Sequence, residues 1–203
     1  MEHLFIGDSI TCAHRTWDRD DLGDGFVRMI AEECPDARVI NKGFDGFTLR
    51  RLLTYVKKMP EDKEDPTTIT LLIGVNDLAE YLYGGGYDAT IFKGYLDDMV
   101  RWLTRFRDSK VIFLEPFLLP WPAEYQRWLE PLGGYQNAME QTACEHNYTY
   151  VKTQKMLHKA MNQMRPQDLT TDGIHLTATG HRLLADAWLD SMGLSERSNH
   201  GTR

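Results

Sequence analysis

Short apolar runs alternate along this chain with longer stretches in which apolar residues recur every three or four positions. The runs at His3–Ile6, Arg38–Ile40, Thr68–Ile73, Lys110–Glu115 and Tyr148–Val151 predict five strands. In the third, Ile69, Leu71, Leu72 and Ile73 are nearly continuous, the pattern of a parallel strand covered on both faces. Between strands, Phe26, Ile30 and Cys34 fall at helical spacing, as do Phe92, Tyr95, Met99, Trp102 and Phe106. Further helices are predicted over Leu49–Lys57, Tyr135–His146, Gln154–Met161 and Ala178–Met192. The last has Thr177 as a candidate N-cap and Leu183, Leu184, Ala187 and Trp188 on its inner stripe. Five strands interleaved with helices imply a three-layer α/β/α sheet.

No repeat or linker divides the 203 residues, a length suited to one such domain, expected over residues 1–194. The charged stretch from Lys57 to Pro66 reads as a solvated helix-to-strand connection, and the polar tail from Ser195 to Arg203 as a disordered end. A formal net charge of −7 argues against a general nucleic-acid or anionic-membrane surface, both of which need a basic face. No run approaches the roughly 18 apolar residues of a membrane helix. The N-terminus carries no signal-peptide pattern, so a cytoplasmic protein is expected. Cys12, Cys34 and Cys144 are odd in number and unpaired in spacing, which favours reduced thiols over disulfides or a zinc site.

Open parallel sheets gather their chemistry at the carboxyl ends of strands. Gly7-Asp8-Ser9 follows the first predicted strand, Asn41-Lys42-Gly43 the second and Gly74-Val75-Asn76-Asp77 the third, while Asp172-Gly173-Ile174-His175 precedes the final helix. A serine hydroxyl becomes a nucleophile when an imidazole takes its proton. His175 can do so, and Asp172, three residues away across a glycine, can fix the ring's tautomer. The backbone N–H groups of Ser9 and Gly43 and the Asn76 amide are candidate donors to an oxyanion.

With Ser9 in Gly-Asp-Ser-Ile, Gly43 in Asn-Lys-Gly-Phe, Asn76 in Gly-Val-Asn-Asp and His175 in Asp-Gly-Ile-His, the chain resembles the SGNH (GDSL-like) esterase and acylhydrolase family. The matches run in order from residue 5 to residue 181. The resemblance implies a Ser9–His175–Asp172 triad, an oxyanion hole of Ser9, Gly43 and Asn76, and a flavodoxin-like five-stranded sheet in the order 2-1-3-4-5. The absence of Gly-x-Ser-x-Gly around Ser9 disfavours the α/β-hydrolase fold. Glu115-Pro116-Phe117 after the fourth strand adds a likeness to the family's intracellular carbohydrate (xylan-type) acetylesterases.

Each residue also has a plainer reading. Ser9 can be a turn or capping serine, Gly43 a turn glycine with positive φ, Asn76 a strand terminator. His181 is a rival base, but it falls inside the last predicted helix, where a structural role is expected. Asp172, His175 and His181 match no recognised metal motif, and no cofactor or metal is expected. Trp17, Tyr83, Trp121 and Trp128 fall outside core periodicity and can stack on sugar rings, pack a loop or form a subunit contact. The expectation is a serine esterase acting on short acyl, above all acetyl, esters of a small molecule or oligosaccharide. Longer-chain lysophospholipase or thioesterase activity is the alternative among enzymes, and an idle carbohydrate-binding module the alternative outside them. No nucleic-acid or membrane partner is expected, and a homo-oligomer is permitted but not required.

Overall fold

The computed structural model describes residues 1–60 and 65–194. Part of the Lys57–Pro66 connection and the whole 195–203 tail therefore lie outside the described residues. Strands β1 (Glu2–Gly7), β2 (Arg38–Gly43), β3 (Thr68–Leu72), β4 (Lys110–Leu114) and β5 (Thr149–Val151) form one parallel sheet in the order β2-β1-β3-β4-β5. Each begins and ends within three residues of the predicted run. Central strand β1 pairs His3 with Val39 on one side and with Thr68 on the other. Every residue of β3 is buried, as its unbroken apolar pattern requires.

Nine helices complete the described chain: α1 (Ser9–Cys12), α2 (Phe26–Glu33), α3 (Leu49–Val56), α4 (Val75–Leu82), α5 (Ala89–Leu103), α6 (Leu129–Glu145), α7 (Thr153–Ala160), α8 (Pro166–Leu169) and α9 (Ala178–Ser191). Helices α2 and α9 pack together, as do α3, α5 and α6, covering the sheet in two outer layers. Phe5, Ile6, Ile69, Leu71, Ile112 and Phe113 lie between them, fully buried. Trp188 fastens α9 to the sheet. Its ring is buried against Phe5 and His3, and its Nε1 donates to Thr70 Oγ1 at 2.9 Å. Thr177 caps the same helix, accepting from the Gly180 N–H.

Helix α4 was not expected. It starts at Val75, directly after a glycine with φ of +129°, so Asn76 opens a helix rather than ending a strand. The short α1 and α8 and two 3₁₀ turns, Arg15–Trp17 and Ala123–Trp128, lack a period long enough to read. From β1 the chain moves outward to β2 and then returns to β3 on the other side. That reversal opens a crevice at the carboxyl ends of β1 and β3.

Candidate active site

Gly7 closes β1 because no side chain fits there; a Cβ would lie 2.4 Å from the Leu72 carbonyl oxygen. The chain then turns straight into α1. Asp8 caps that helix, its Oδ1 accepting from the Ile10 N–H at 3.0 Å. Ser9 is thus the first helical residue, with its side chain at the crevice and its N–H unbonded among the described residues.

Across the crevice, residues 170–176 form a tight loop before α9. Thr170 and Leu176 bridge its base, and Gly173 takes φ of +95° where a Cβ would strike the Trp121 carbonyl oxygen at 2.2 Å. Asp172 Oδ1 accepts from the backbone N–H groups of Ile174 (2.9 Å) and His175 (2.8 Å). Its Oδ2 accepts from His175 Nδ1 at 2.7 Å, and His175 Nε2 stands 2.9 Å from Ser9 Oγ. Burial pushes the Asp172 carboxyl up, but the bonds from the His175 ring and from the two N–H groups outweigh it and hold the group below the usual carboxylate range. An ionised Asp172 places the ring proton on Nδ1 and leaves the Nε2 lone pair facing the hydroxyl. The side chains of Asp172 and His175 are about half exposed, so nothing covers this line of three groups.

The donors around Ser9 differ from expectation in one residue. Gly43 donates its N–H to Asn41 Oδ1 at 2.9 Å, and its carbonyl oxygen accepts from Arg15 Nε at 2.6 Å. Both polar groups are therefore engaged beneath the Cys12 backbone, and neither faces the cavity. Nor does Gly43 have a positive φ; it is a glycine because a Cβ would lie 2.2 Å from the Cys12 nitrogen. Gly46 is the glycine that lines the cavity with Ser9, Asn76 and His175. It has φ of +68°, open space beside its Cα and an N–H without an acceptor among the described residues. The sequence carried a signal for this difference, since an Asn side chain readily takes the N–H two residues ahead and so uses up Gly43. Asn76 stands where expected. Its Nδ2 gives one hydrogen to the Phe47 carbonyl at 3.1 Å and keeps the other.

The cavity has a volume of about 650 Å³. His14, Asp24, Asp45 and His181 also line it, and of these only His181 had been considered. His181 is buried, with Nδ1 accepting from the Phe26 N–H at 3.2 Å, and burial drops it to about 4. It is a neutral structural acceptor. Cys12 is likewise buried, and burial raises its thiol above the ordinary value.

None of the four candidate aromatics lines this cavity. Trp128 is a correction: it is 4% exposed, packed into the core between Tyr83 and Tyr125. Trp121 backs the 170–176 loop through its carbonyl against Gly173. Tyr83 is exposed beside Trp128. Trp17 lies in an adjoining hollow that shares His14 and Asp24 with the cavity.

A hydroxyl, an imidazole and a carboxylate in line at the switch point of a parallel 2-1-3-4-5 sheet is an arrangement suited to hydrolysis. Residues 5–183 match the GDSL-like lipase/acylhydrolase family, and the chain belongs to that family of carboxylic ester hydrolases. An acetylxylan esterase of Geobacillus stearothermophilus is 28% identical over 213 residues, covering 94% of this chain and 93% of the relative. An isoamyl acetate-hydrolyzing esterase of Saccharomyces cerevisiae is 24% identical, covering 92% and 83%. Among solved structures, an α/β hydrolase enzyme from the metagenome of Lake Arreo, Spain, superimposes with a TM-score of 0.83 at 23% identity over 95% of each chain. A catalytic mutant of a Geobacillus stearothermophilus acetylxylan esterase gives a TM-score of 0.83 at 24% identity, over 95% of this chain and 94% of that one. Among the described residues, no helix is long and apolar enough to cross a membrane.

Proposed function

We propose that this esterase removes short acyl groups, acetyl above all, from carbohydrate alcohols through a Ser9–His175–Asp172 triad. The observation that carries the reading is the unbroken line Asp172 Oδ2–His175 Nδ1, His175 Nε2–Ser9 Oγ beside three unspent donors. Ser9 Oγ attacks the ester carbonyl while His175 Nε2 takes its proton. The oxyanion receives hydrogen bonds from the N–H groups of Ser9 and Gly46 and from Asn76 Nδ2, each such donor being worth about 3–4 kcal/mol. His175 then passes the proton to the departing alcohol oxygen. Water attacks the acyl-enzyme with the same imidazole as base, releasing the acid and restoring Ser9.

The names of the relatives support the acyl group, since an acetylxylan esterase and isoamyl acetate esterases all act on acetate esters. The cavity lining mixes Ile10, Ala13, Leu176 and Ala178, which suit a small acyl group, with the polar His14, Asp24 and Asp45, which suit a hydroxylated alcohol. The test is a panel of p-nitrophenyl acetate, octanoate and palmitate with acetylated xylo-oligosaccharides, run on wild type and Ser9→Ala. Short esters and the sugar esters are cleaved, and Ser9→Ala loses at least about 10³-fold in kcat. A preference for palmitate sinks the acetyl assignment, and an active Ser9→Ala sinks the triad.

A further inference from the structure

Resting on that reading, we propose that the hollow bounded by His14, Asp24 and Trp17 is the subsite for the alcohol part of the substrate, a pyranose ring laid on the Trp17 indole. The leaving alcohol has to sit at His175 Nε2, because that nitrogen returns its proton. The segment carrying Asp24 is packed onto this flank. A Cβ on neighbouring Gly25 would come within 2.9 Å of the His181 Cε1, and His181 shares the cavity wall with His175, Leu176 and Ala178. His14 Nδ1 lies 3.2 Å from both carboxylate oxygens of Asp24. The pair marks the boundary between the Ser9 cavity and an outer hollow of about 430 Å³ that contains Trp17. A path therefore runs from Ser9 and His175 over His14 and Asp24 to the indole.

Trp17 is 88% exposed, an unusual position for the largest apolar side chain, and among the described residues only His14 stacks on it. Its ring is stacked on His14, with centroids 5.8 Å apart and planes 27° from parallel. The backbone that presents it is built for the purpose. Ala13 and His14 both take left-handed conformations, φ of +40° and +61°, which non-glycine residues hold only when their surroundings impose them. The Ala13 N–H donates to Ser9, the Ala13 carbonyl accepts from Asp24 and the Trp17 N–H donates to His14, so the platform is tied to the nucleophile's own helix.

The chemistry selects the occupant. A flat indole beside an imidazole edge, ringed by the carboxylates of Asp18, Asp20 and Asp24 and by Arg19 and Arg28, suits a ring with an apolar face and a rim of hydroxyls. His14 Nε2 has no partner among the described residues, and Asp24 offers acceptor oxygens to those hydroxyls. An acyl chain would gain nothing from the polar half of this surface.

The experiment compares acetylated xylobiose with ethyl acetate, which has no ring to stack, in wild type, Trp17→Ala and Trp17→Phe. In Trp17→Ala the ratio of kcat/KM for the sugar ester to that for ethyl acetate falls about tenfold, mainly through KM. Trp17→Phe, which keeps an aromatic plane, recovers most of the ratio. Calorimetric titration of Ser9→Ala with acetylated xylobiose gives the same ordering without turnover, with about tenfold weaker binding when Trp17→Ala is added. An unchanged ratio in Trp17→Ala, or equal losses on both esters, overturns the subsite. A wild type that cleaves neither ester fails the proposed function itself, before Trp17 is altered.

Discussion

A methyl group placed on Gly43 would meet the Cys12 nitrogen at 2.2 Å and the Thr11 carbonyl carbon at 2.6 Å, and both are backbone atoms with no room to retreat. Gly46, three residues on, has nothing within 4 Å of the same position and only its φ of +68° to accommodate. The two substitutions should therefore separate by stability. Gly43→Ala is expected to cost about 3 kcal/mol from overpacking, and Gly46→Ala about 1–2 kcal/mol from the left-handed backbone. Urea midpoints of the two variants check this, and a reversed order would mean that the buried contact of Gly43 is misjudged. The same comparison separates scaffold from chemistry, since the N–H of Gly43 already belongs to Asn41 and that of Gly46 does not.

The segment of residues 13–25, between α1 and α2, contains one 3₁₀ turn and is otherwise held largely by arginine contacts. Arg15 is buried, donating Nε to the Gly43 carbonyl and Nη1 to Asp21, each at 2.6 Å, with its guanidinium 4.5 Å over the Phe44 ring. Lysine can reproduce the charge but not the fork or the stacking. Arg15→Lys is expected to lower stability by about 1.5–3 kcal/mol, read from the shift of the urea midpoint, and a shift near zero would leave the segment held by something else. This is also where the sequence was least legible. The inner strands β1, β3 and β4 show in their apolar runs because burial on both faces leaves a local record, while the edge strands β2 and β5, only partly buried, show in shorter ones. Helix α4 carries the period, with Val75, Leu78, Ala79 and Leu82 at helical spacing, but it is short and its start is hidden by the turn chemistry of Gly74, Asn76 and Asp77. It is also held from outside, with Asp77 accepting from the Leu49 N–H and the Tyr87 hydroxyl. Ser9, Asn76, Asp172 and His175 could be found because each follows a strand or precedes a helix. Asp24 could not, since only packing against the far flank brings it to the cavity wall, whereas His14 just after α1 and Asp45 just after β2 fall under the same rule as Ser9. Trp128 is buried in a short 3₁₀ turn with no period of its own, against Tyr125 beside it and the distant Tyr83.

Charges buried across the molecule give its stability a definite dependence on pH. Burial pushes Asp8 up to about 7, with Asp77 and Asp45 adding to it and the Ile10 N–H opposing. Burial also pushes Asp77 up to about 7, against the Tyr87 hydroxyl and the Leu49 N–H. The folded chain thus keeps protons on both carboxyls that the unfolded chain gives up near pH 4. That contribution is present at low pH and lost as pH rises through about 7. Burial acts oppositely on His181, dropped to about 4, and on His3, lowered first by burial and then by the N-terminal charge. Their contribution falls as pH drops below about 6.5, where the unfolded imidazoles take up protons. Asp172, held low, adds a loss at stronger acid. Between about pH 6.5 and 8 the two carboxyls dominate, so Tm is expected to fall as pH rises across that interval. Calorimetric scans test it, and a rising Tm would mean that both groups are already ionised in the fold. The Ser9–His175 hydrogen bond joins positions 166 apart along the chain, one on the first strand's turn and the other beside the last helix. A refolding intermediate can collapse, pair most of its sheet and bury most of its core while remaining inert toward esters. With the proposed triad, the return of hydrolysis reports the final docking of α9 against the turn after β1, a closure between the two ends of the chain.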